Sequence, residues 1–225
     1  MPHLPALLFD LDGTLVDSAH GVASALAQVS EARGGPPVEV DQVRSLISLG
    51  ADVLVREALG HAARDAIDDL SEFRRILRSL PPDPRAIFDG VILALSTFRK
   101  ASYPMAVVTN KPADLSRSLL EGLGLAGHFD VVVGGDTAPF CKPHPAPVEW
   151  ALERLHRSKE RAVLIGDSDV DALAAKACAI PFILYEGGYG SSRCAPNDIA
   201  AQFRQFDDLP DKIIEISAEM HWPLL

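Results

Sequence analysis

Short apolar runs alternate with amphipathic segments along most of the chain. Runs too short for helices and rich in Val, Ile or Leu predict strands at 6–10, 105–109, 131–134, 162–166 and 182–184. Segments with helical periodicity lie between them, at 90–100, 113–123, 147–155 and 170–179. This alternation predicts an α/β fold, in which a Rossmann-like parallel sheet carries helices on both faces.

One region departs from the alternation. Residues 19–80 show only helical periodicity, and the proline-rich segment 81–84 then stops helix formation. Asp41 is expected to cap the second of these helices. The pattern predicts an α/β core domain of residues 1–18 and 82–225, with a helical cap domain of residues 19–81 inserted after the first strand. An insert at the carboxyl edge of the sheet would cover a site there.

Composition excludes several classes of function. The 225 residues are 48% hydrophobic and carry a net charge of -10 without a basic run, so neither nucleic acid nor an anionic membrane is an expected partner. No apolar stretch approaches the roughly 18 residues that span a bilayer, and the first apolar run lacks the flanks of a signal peptide. Three cysteines without CxxC spacing predict reduced thiols and a cytoplasmic location.

Candidate chemistry begins where the first strand ends. Asp10 and Asp12 are two residues apart, so a continuing strand period points both side chains the same way. Two carboxylates this close repel each other unless a proton or a cation separates them, and Mg²⁺ prefers oxygen ligands. The pair therefore predicts a nucleophile, an acid–base group and part of a magnesium site.

Polar groups also follow the next three predicted strands. Thr109, Asn110 and Lys111 follow the second strand, Lys142 follows the third, and the acidic segment 167–171 follows the fourth. Each motif alone has an ordinary explanation as a helix cap, a turn or a surface loop. Because the carboxyl ends of parallel strands meet at one edge, we expect these groups to share one pocket.

The four motifs, in this order, resemble the haloacid dehalogenase superfamily over nearly the whole chain. The segment Asp10-Leu11-Asp12-Gly13-Thr14 fits the DxDGT form of its phosphatase branch. Segments 142–145 and 188–190 resemble the phosphoglycolate phosphatase-like members. The resemblance implies a Mg²⁺-dependent phosphomonoesterase that acts through an aspartyl-phosphate and converts 2-phosphoglycolate to glycolate and phosphate.

The resemblance also implies roles for the residues that would handle the phosphoryl group. Asp10 is the expected nucleophile, and Asp12 the acid that protonates the leaving group and the base that then activates water. The Thr109 hydroxyl and the neighbouring Asn110 would hold phosphoryl oxygens. Lys142 would neutralise the charge between nucleophile and phosphate.

A second set of implied roles concerns the metal. Asp167 would bind Mg²⁺ directly, together with the carboxylate of Asp10 and the main-chain carbonyl of Asp12. Asp171, one helical turn further on, would orient Lys142 or water without contacting the metal.

The cap is expected to set substrate specificity. Residues 19–80 contain no lysine, which argues against the Schiff-base phosphonate cleavage that occurs in this superfamily. A small carboxylated substrate would need a cation or N–H donors from the cap. Gly50 at a helix start, Arg56 and Arg44 are the candidates, and solvated helix faces are the alternative explanation of both arginines.

Several alternatives stay open. The substrate could be another small phosphorylated metabolite or pyrophosphate, and a sugar-phosphate mutase or a non-catalytic interaction protein are further possibilities. The expected partner is a small phosphorylated metabolite. The chain is expected to be a monomer or a homodimer, with its apolar tail 222–225 docked on its own domain or added to a dimer contact.

Overall fold

The fold is described by a computed structural model that covers residues 4–222. The strands are β1 (Ala6–Phe9), β2 (Met105–Val108), β3 (Val131–Val133), β4 (Ala162–Gly166), β5 (Phe182–Tyr185) and β6 (Ala201–Phe203). The helices are α1 (Ala19–Glu31), α2 (Val40–Leu46), α3 (Ala51–Leu59), α4 (Ala66–Ser79), α5 (Val91–Lys100), α6 (Ala113–Gly122), α7 (Ala146–Leu155), α8 (Asp169–Cys178) and α9 (Leu209–Glu219).

The strands form one parallel sheet in the order β3-β2-β1-β4-β5-β6. Strand β1 lies at its centre, where Leu8 pairs with Ala106 of β2 on one side and with Leu164 of β4 on the other. Successive side chains of β1 point to opposite faces. Leu7 and Phe9 pack in one buried cluster, and Ala6 and Leu8 pack in another.

Helices cover both faces of the sheet. The Leu7 cluster includes apolar residues of α5 and α9, and the Leu8 cluster includes apolar residues of α7 and α8. A sheet buried on both sides needs near-continuous apolar strands, and the β1 residues Ala6–Phe9 are fully buried. The predicted α/β fold class, with its parallel Rossmann-like sheet, is confirmed.

Helices α1 to α4 bury a cluster of their own. Leu26 of α1, Leu59 of α3 and Phe73 of α4 belong to it. These helices occupy the stretch from Ala19 to Ser79, between β1 and α5. The division into a core (1–18 and 82–225) and a cap (19–81) stays a prediction, and its outermost residues, 1–3 and 223–225, lie outside the described part of the chain.

The structure differs from the sequence prediction at two elements. Strand β6 is additional; it has three residues, lies at the edge of the sheet and includes the exposed Gln202, so its sequence carries little strand signal. Asp41 does not cap α2, because the helix begins at Val40 and Glu39 is the N-cap residue. Asp41 lies instead in the first turn, where a negative charge also stabilises a helix.

The described end of the predicted apolar tail docks on the core. Trp222 packs in the Leu7 cluster, and its indole N–H donates a hydrogen bond to the Glu160 carbonyl at 2.6 Å. Residues 223–225 lie outside the described part. Within residues 4–222, no helix is long and apolar enough to cross a membrane.

The burial of β1 leads to a stability prediction. Replacing the fully buried Leu8 by Ala should lower the free energy of unfolding by about 2–5 kcal/mol, because the substitution leaves a cavity between β1 and its covering helices. Leu173 of α8 is 44% exposed, so Leu173→Ala should change that free energy by less than about 1 kcal/mol. Urea denaturation measures both, and equal losses would contradict the assigned core.

Candidate active site

The ends of the central strands bring four predicted side chains to one edge of the sheet. Asp10 follows β1, and its N–H donates to the carbonyl of Ile165 in β4 at 2.9 Å. Thr109 follows β2, and its N–H donates to the carbonyl of Val133 in β3 at 3.0 Å. The sheet hydrogen bonding thus continues one residue beyond the strands and fixes the backbone at the start of the site.

Lys142 lies at the centre of the site. Its ammonium donates to Asp10 Oδ1 at 2.8 Å, to Asp171 Oδ1 at 2.6 Å and to the Val108 carbonyl at 2.7 Å. The residue is only 4% exposed, and these three acceptors use all three of its N–H groups. A buried ammonium is tolerated where its charge is paired and its hydrogen bonds are satisfied.

Asn110 fixes the backbone of Lys142. Its side-chain amide donates to the Lys142 carbonyl at 2.9 Å, and its side-chain oxygen accepts from the Lys142 N–H at 2.8 Å. The side chain of Asn110 therefore positions the backbone of Lys142. The Thr109 hydroxyl accepts from the Lys111 N–H at 3.2 Å and lines the cavity described below.

Asp167 is held at the start of the β4–α8 loop by donors from separate segments. Its Oδ1 accepts from the Thr14 hydroxyl at 3.0 Å, and its Oδ2 accepts from the N–H groups of Tyr189 at 2.7 Å and Gly190 at 3.3 Å. The residue is 1% exposed. These neutral donors orient the carboxylate and leave its charge without a cationic partner.

Three carboxylates form the acidic cluster of the described residues. Oxygens of Asp10, Asp167 and Asp171 all lie within 4.8 Å of one another. Such oxygens suit a hard divalent cation such as Mg²⁺ or Mn²⁺. Asp171 has one oxygen paired with Lys142 and the other bonded to the Ser168 hydroxyl at 2.7 Å. Asp10 keeps one oxygen that Lys142 does not hold, and Asp167 has only neutral donors, so these two are the members best able to hold a metal.

A cavity of about 80 Å³ opens above these groups. One wall comes from the strand ends and the loops that follow them, including Asp10, Asp12 and Lys142. The opposite wall comes from α1, α3, α4 and the turn before α3. A cavity this small between a polar floor and a helical roof is suited to a small molecule.

Residues 7–185 match the family model of haloacid dehalogenase-like hydrolases. This chain belongs to the haloacid dehalogenase-like hydrolase family. It is 38% identical over 210 residues to the phosphoglycolate phosphatase of Rhodobacter capsulatus, covering 92% of this chain and 95% of the relative. It is 36% identical over 215 residues to the phosphoglycolate phosphatase of Rhodospirillum rubrum, covering 92% and 89%.

A solved structure shares the fold throughout. The crystal structure of a predicted phosphoglycolate phosphatase from Haemophilus somnus 129PT superposes with a TM-score of 0.81 at 26% identity, and the match covers 94% of this chain and 99% of that chain. The family resemblance expected from the four motifs is confirmed, and so is the expectation that the chain is a hydrolase.

Asp12, the acid–base group that the family resemblance implies, lies beside a lysine. Its carboxylate faces Lys111, whose ammonium lies 2.9 and 3.2 Å from its two oxygens. Both residues line the cavity. Sequence reasoning gave Lys111 no role, although its place directly after Thr109 and Asn110 is the signal that could have found it.

The cap residues named from the sequence take different positions. Gly50 lines the cavity at the start of α3. Arg56 is not among the described lining residues; its side chain is 67% exposed and bonds to Glu57. Arg44 pairs with Asp17 at 2.8 Å. The arginine that lines the cavity is Arg74 of α4, which sequence reasoning did not consider.

Two glycines allow the loops of this hydrolase to close around Asp167. Gly13 has φ of +87°, and a side chain there would place its Cβ 2.6 Å from Asp167 Oδ2. A Cβ at Gly188 would lie 2.2 Å from the Cβ of Asp167. Both distances are shorter than a side chain tolerates, so the carboxylate is enclosed by backbone that only glycine permits.

Burial and mutual repulsion alter the titration of the cluster. Burial raises the pKa of Asp10 to about 7, although Lys142 opposes the rise. Burial, followed by the charges of Asp171 and Asp10, raises the pKa of Asp167 to about 8. For Lys142, burial favours the neutral amine, but the charges of Asp10 and Asp171 outweigh it and raise the pKa.

The raised pKa values of Asp10 and Asp167 predict that a metal ion and protons compete for the same carboxylate oxygens. The folded-state pKa values of about 7 and 8 lie above the ordinary value of 3.8, so the folded protein holds protons that the unfolded chain releases. The contribution of Asp10 and Asp167 to stability is therefore greatest below about pH 4 and falls as the pH rises to about 8. A divalent cation relieves this repulsion where the carboxylates are ionised.

Thermal unfolding with and without Mg²⁺ measures this effect. The increase in Tm caused by the metal should be larger at pH 8 than at pH 5.5, because protons compete for the same oxygens at the lower pH. Asp167→Asn should remove most of the increase at pH 8. An increase of the same size at both pH values, or one that survives in Asp167→Asn, would contradict the assigned metal ligands.

Proposed function

We propose that this protein is a Mg²⁺-dependent phosphatase that hydrolyses 2-phosphoglycolate through an aspartyl-phosphate on Asp10. The observation that carries the proposal is the placement of Asp10 at the floor of a small cavity, with one oxygen held by Lys142. The names and 36–38% identities of the two bacterial relatives support the substrate.

The first half of the reaction transfers the phosphoryl group to the protein. The Asp10 oxygen that is not held by Lys142 attacks phosphorus, and the bond from phosphorus to the substrate oxygen breaks. Asp12, at the same end of the cavity, gives a proton to the departing alkoxide. The Thr109 hydroxyl and Lys142 stabilise the charge on the phosphoryl oxygens during the transfer.

The second half returns the protein to its starting state. Asp12, now ionised, accepts a proton from a water molecule that attacks the phosphorus of the aspartyl-phosphate. Inorganic phosphate leaves, and the Asp10 carboxylate is restored. Asp10, Asp167 and the main-chain carbonyl of Asp12 would hold a Mg²⁺ ion, which would supply the charge neutralisation that lets a carboxylate approach a phosphate dianion.

The remaining sequence expectations are part of the same proposal. Residues 19–81 act as a cap domain that shields the site from water, and Gly50 contributes to the cap wall of the cavity. The three free thiols at Cys141, Cys178 and Cys194 support a cytoplasmic location. The small cavity supports a small phosphorylated metabolite as the partner, while the expectation of a monomer or homodimer stays a prediction.

Replacing the proposed nucleophile tests the chemistry. Asp10→Asn should abolish steady-state phosphate release, because an amide cannot form the covalent intermediate, while thermal unfolding still shows a folded protein. Asp211→Asn, at an exposed position of α9, is the matched control and should retain wild-type turnover. Measurable turnover by a sequence-verified Asp10→Asn protein would exclude Asp10 as the nucleophile.

A substrate panel tests the specificity. Mg²⁺-dependent phosphate release should be compared for 2-phosphoglycolate, sugar phosphates, pyrophosphate, a nucleotide and an aryl phosphate. We expect the highest kcat/KM for 2-phosphoglycolate. A higher kcat/KM for another member of the panel would support the phosphatase chemistry and contradict the assignment of 2-phosphoglycolate as the substrate. No release from any member would favour a mutase or a non-catalytic protein.

A further inference from the structure

Arg74 is a cation of the cap that has no partner. It lies on α4 beside Phe73, lines the cavity from the side opposite the strand ends, and makes no hydrogen bond or ion pair with any described residue. Its Nε is shielded from solvent. A buried donor without an acceptor costs about 1–3 kcal/mol, and more when it is charged. An acceptor supplied by a ligand would remove this penalty.

The other cations that line the cavity are already matched by carboxylates. Lys142 contacts Asp10 and Asp171, and Lys111 contacts Asp12. Among the described residues, Arg74 is therefore the cavity-lining cation with a free guanidinium. A bound molecule can engage its charge without first breaking an ion pair of the protein.

The neighbouring arginines of the cap contrast with Arg74. Arg33 pairs with Asp69 at 2.5 Å, Arg44 pairs with Asp17 at 2.8 Å, and Arg78 pairs with Asp114. These pairs account for their positions as parts of the folded scaffold. For Arg74, no ion pair with a described residue accounts for the position of its guanidinium.

The surroundings of Arg74 strengthen its attraction for an anion. Apolar side chains of the cap, including Leu54, Phe73 and Leu77, share its wall of the cavity. A charge is attracted more strongly where apolar neighbours keep the local dielectric low. Asp10 and Asp12 line the same cavity from the strand ends, so one small cavity holds the proposed catalytic carboxylates and an unpaired guanidinium.

We propose that Arg74 binds a second anionic group of the substrate, at the end of the molecule away from the phosphoryl group. The proposal rests on the phosphatase function above and narrows its substrate class to phosphomonoesters that carry a second anion. In 2-phosphoglycolate this group is the carboxylate, which a guanidinium binds through paired hydrogen bonds. The volume of about 80 Å³ favours a second anion close to the phosphoryl group.

A pair of substrates of similar size tests the proposal. 2-Hydroxyethyl phosphate replaces the carboxylate of 2-phosphoglycolate by a neutral hydroxymethyl group. Arg74→Ala should lower kcat/KM for 2-phosphoglycolate about 10- to 100-fold, mainly through KM, and should lower it about threefold or less for 2-hydroxyethyl phosphate. Arg74→Lys should recover part of the loss, since it keeps the charge without the paired donors.

Two other variants serve as controls. Arg75→Ala removes the same charge from an exposed neighbouring position of α4 and should leave both substrates within about twofold of wild type. Arg56→Ala tests the arginine chosen from the sequence and should behave like Arg75→Ala. Binding of 2-phosphoglycolate to Asp10→Asn protein, measured by calorimetry with Mg²⁺, should weaken about tenfold or more when Arg74→Ala is added.

The outcomes separate this inference from the function on which it depends. A wild-type protein inactive on every phosphomonoester would overturn the proposed function itself. An active wild-type protein whose Arg74→Ala variant loses both substrates equally would overturn the role of Arg74 alone.

Discussion

The buried ion cluster around Lys142 is the constraint on which the site depends. One ammonium holds Asp10 and Asp171 at hydrogen-bonding distance, and Asp167 lies close enough for its oxygens to fall within 4.8 Å of theirs. Carboxylates this close are unfavourable away from water unless cations compensate them. The fold must therefore deliver one lysine and three aspartates to the same point, and the parallel sheet does so because its strand ends share an edge.

A second set of contacts joins this cluster to helices α1 and α2. The Tyr189 N–H donates to Asp167, and its hydroxyl donates to Asp17 at 2.6 Å, just before the first cap helix. Asp17 also accepts from Arg44 of α2. Tyr189 thus contacts Asp167 of the site through its backbone and Asp17, at the start of α1, through its side chain. The positions of α1 and α2 and the orientation of Asp167 are therefore linked through Tyr189.

The sequence could predict the parts of the site that depend on strand order. Asp10 and Asp167 directly follow β1 and β4, so parallel pairing brings them together. Lys142 lies in the loop after β3, which the strand order places at the same edge, and the Asn110 side chain then fixes its backbone. Strand order does not predict which arginine lines the cavity. Arg56 and Arg74 lie on helices α3 and α4, and the packing of these helices decides which side chain reaches the cavity. The apolar stripe of α4 runs through Leu70, Phe73 and Leu77, and Arg74 lies one turn after Leu70. The position of the charged Arg74 within the apolar stripe of α4 is the sequence signal that could have identified it.

The charges of the cavity explain why an acidic protein can receive an anionic substrate. Asp10, Asp12 and Asp171 line it together with Lys111, Lys142 and Arg74, so the lining is close to neutral when all are ionised. The buried Asp167 adds a further negative charge beside them. A divalent cation at Asp10 and Asp167 would cancel the excess negative charge of the phosphoryl end, where Asp10, Asp12, Asp167 and Asp171 outnumber Lys111 and Lys142. The guanidinium of Arg74 is the one lining cation of that sum without a carboxylate partner among the described residues, which favours a small molecule with a second anion over one with a single charge.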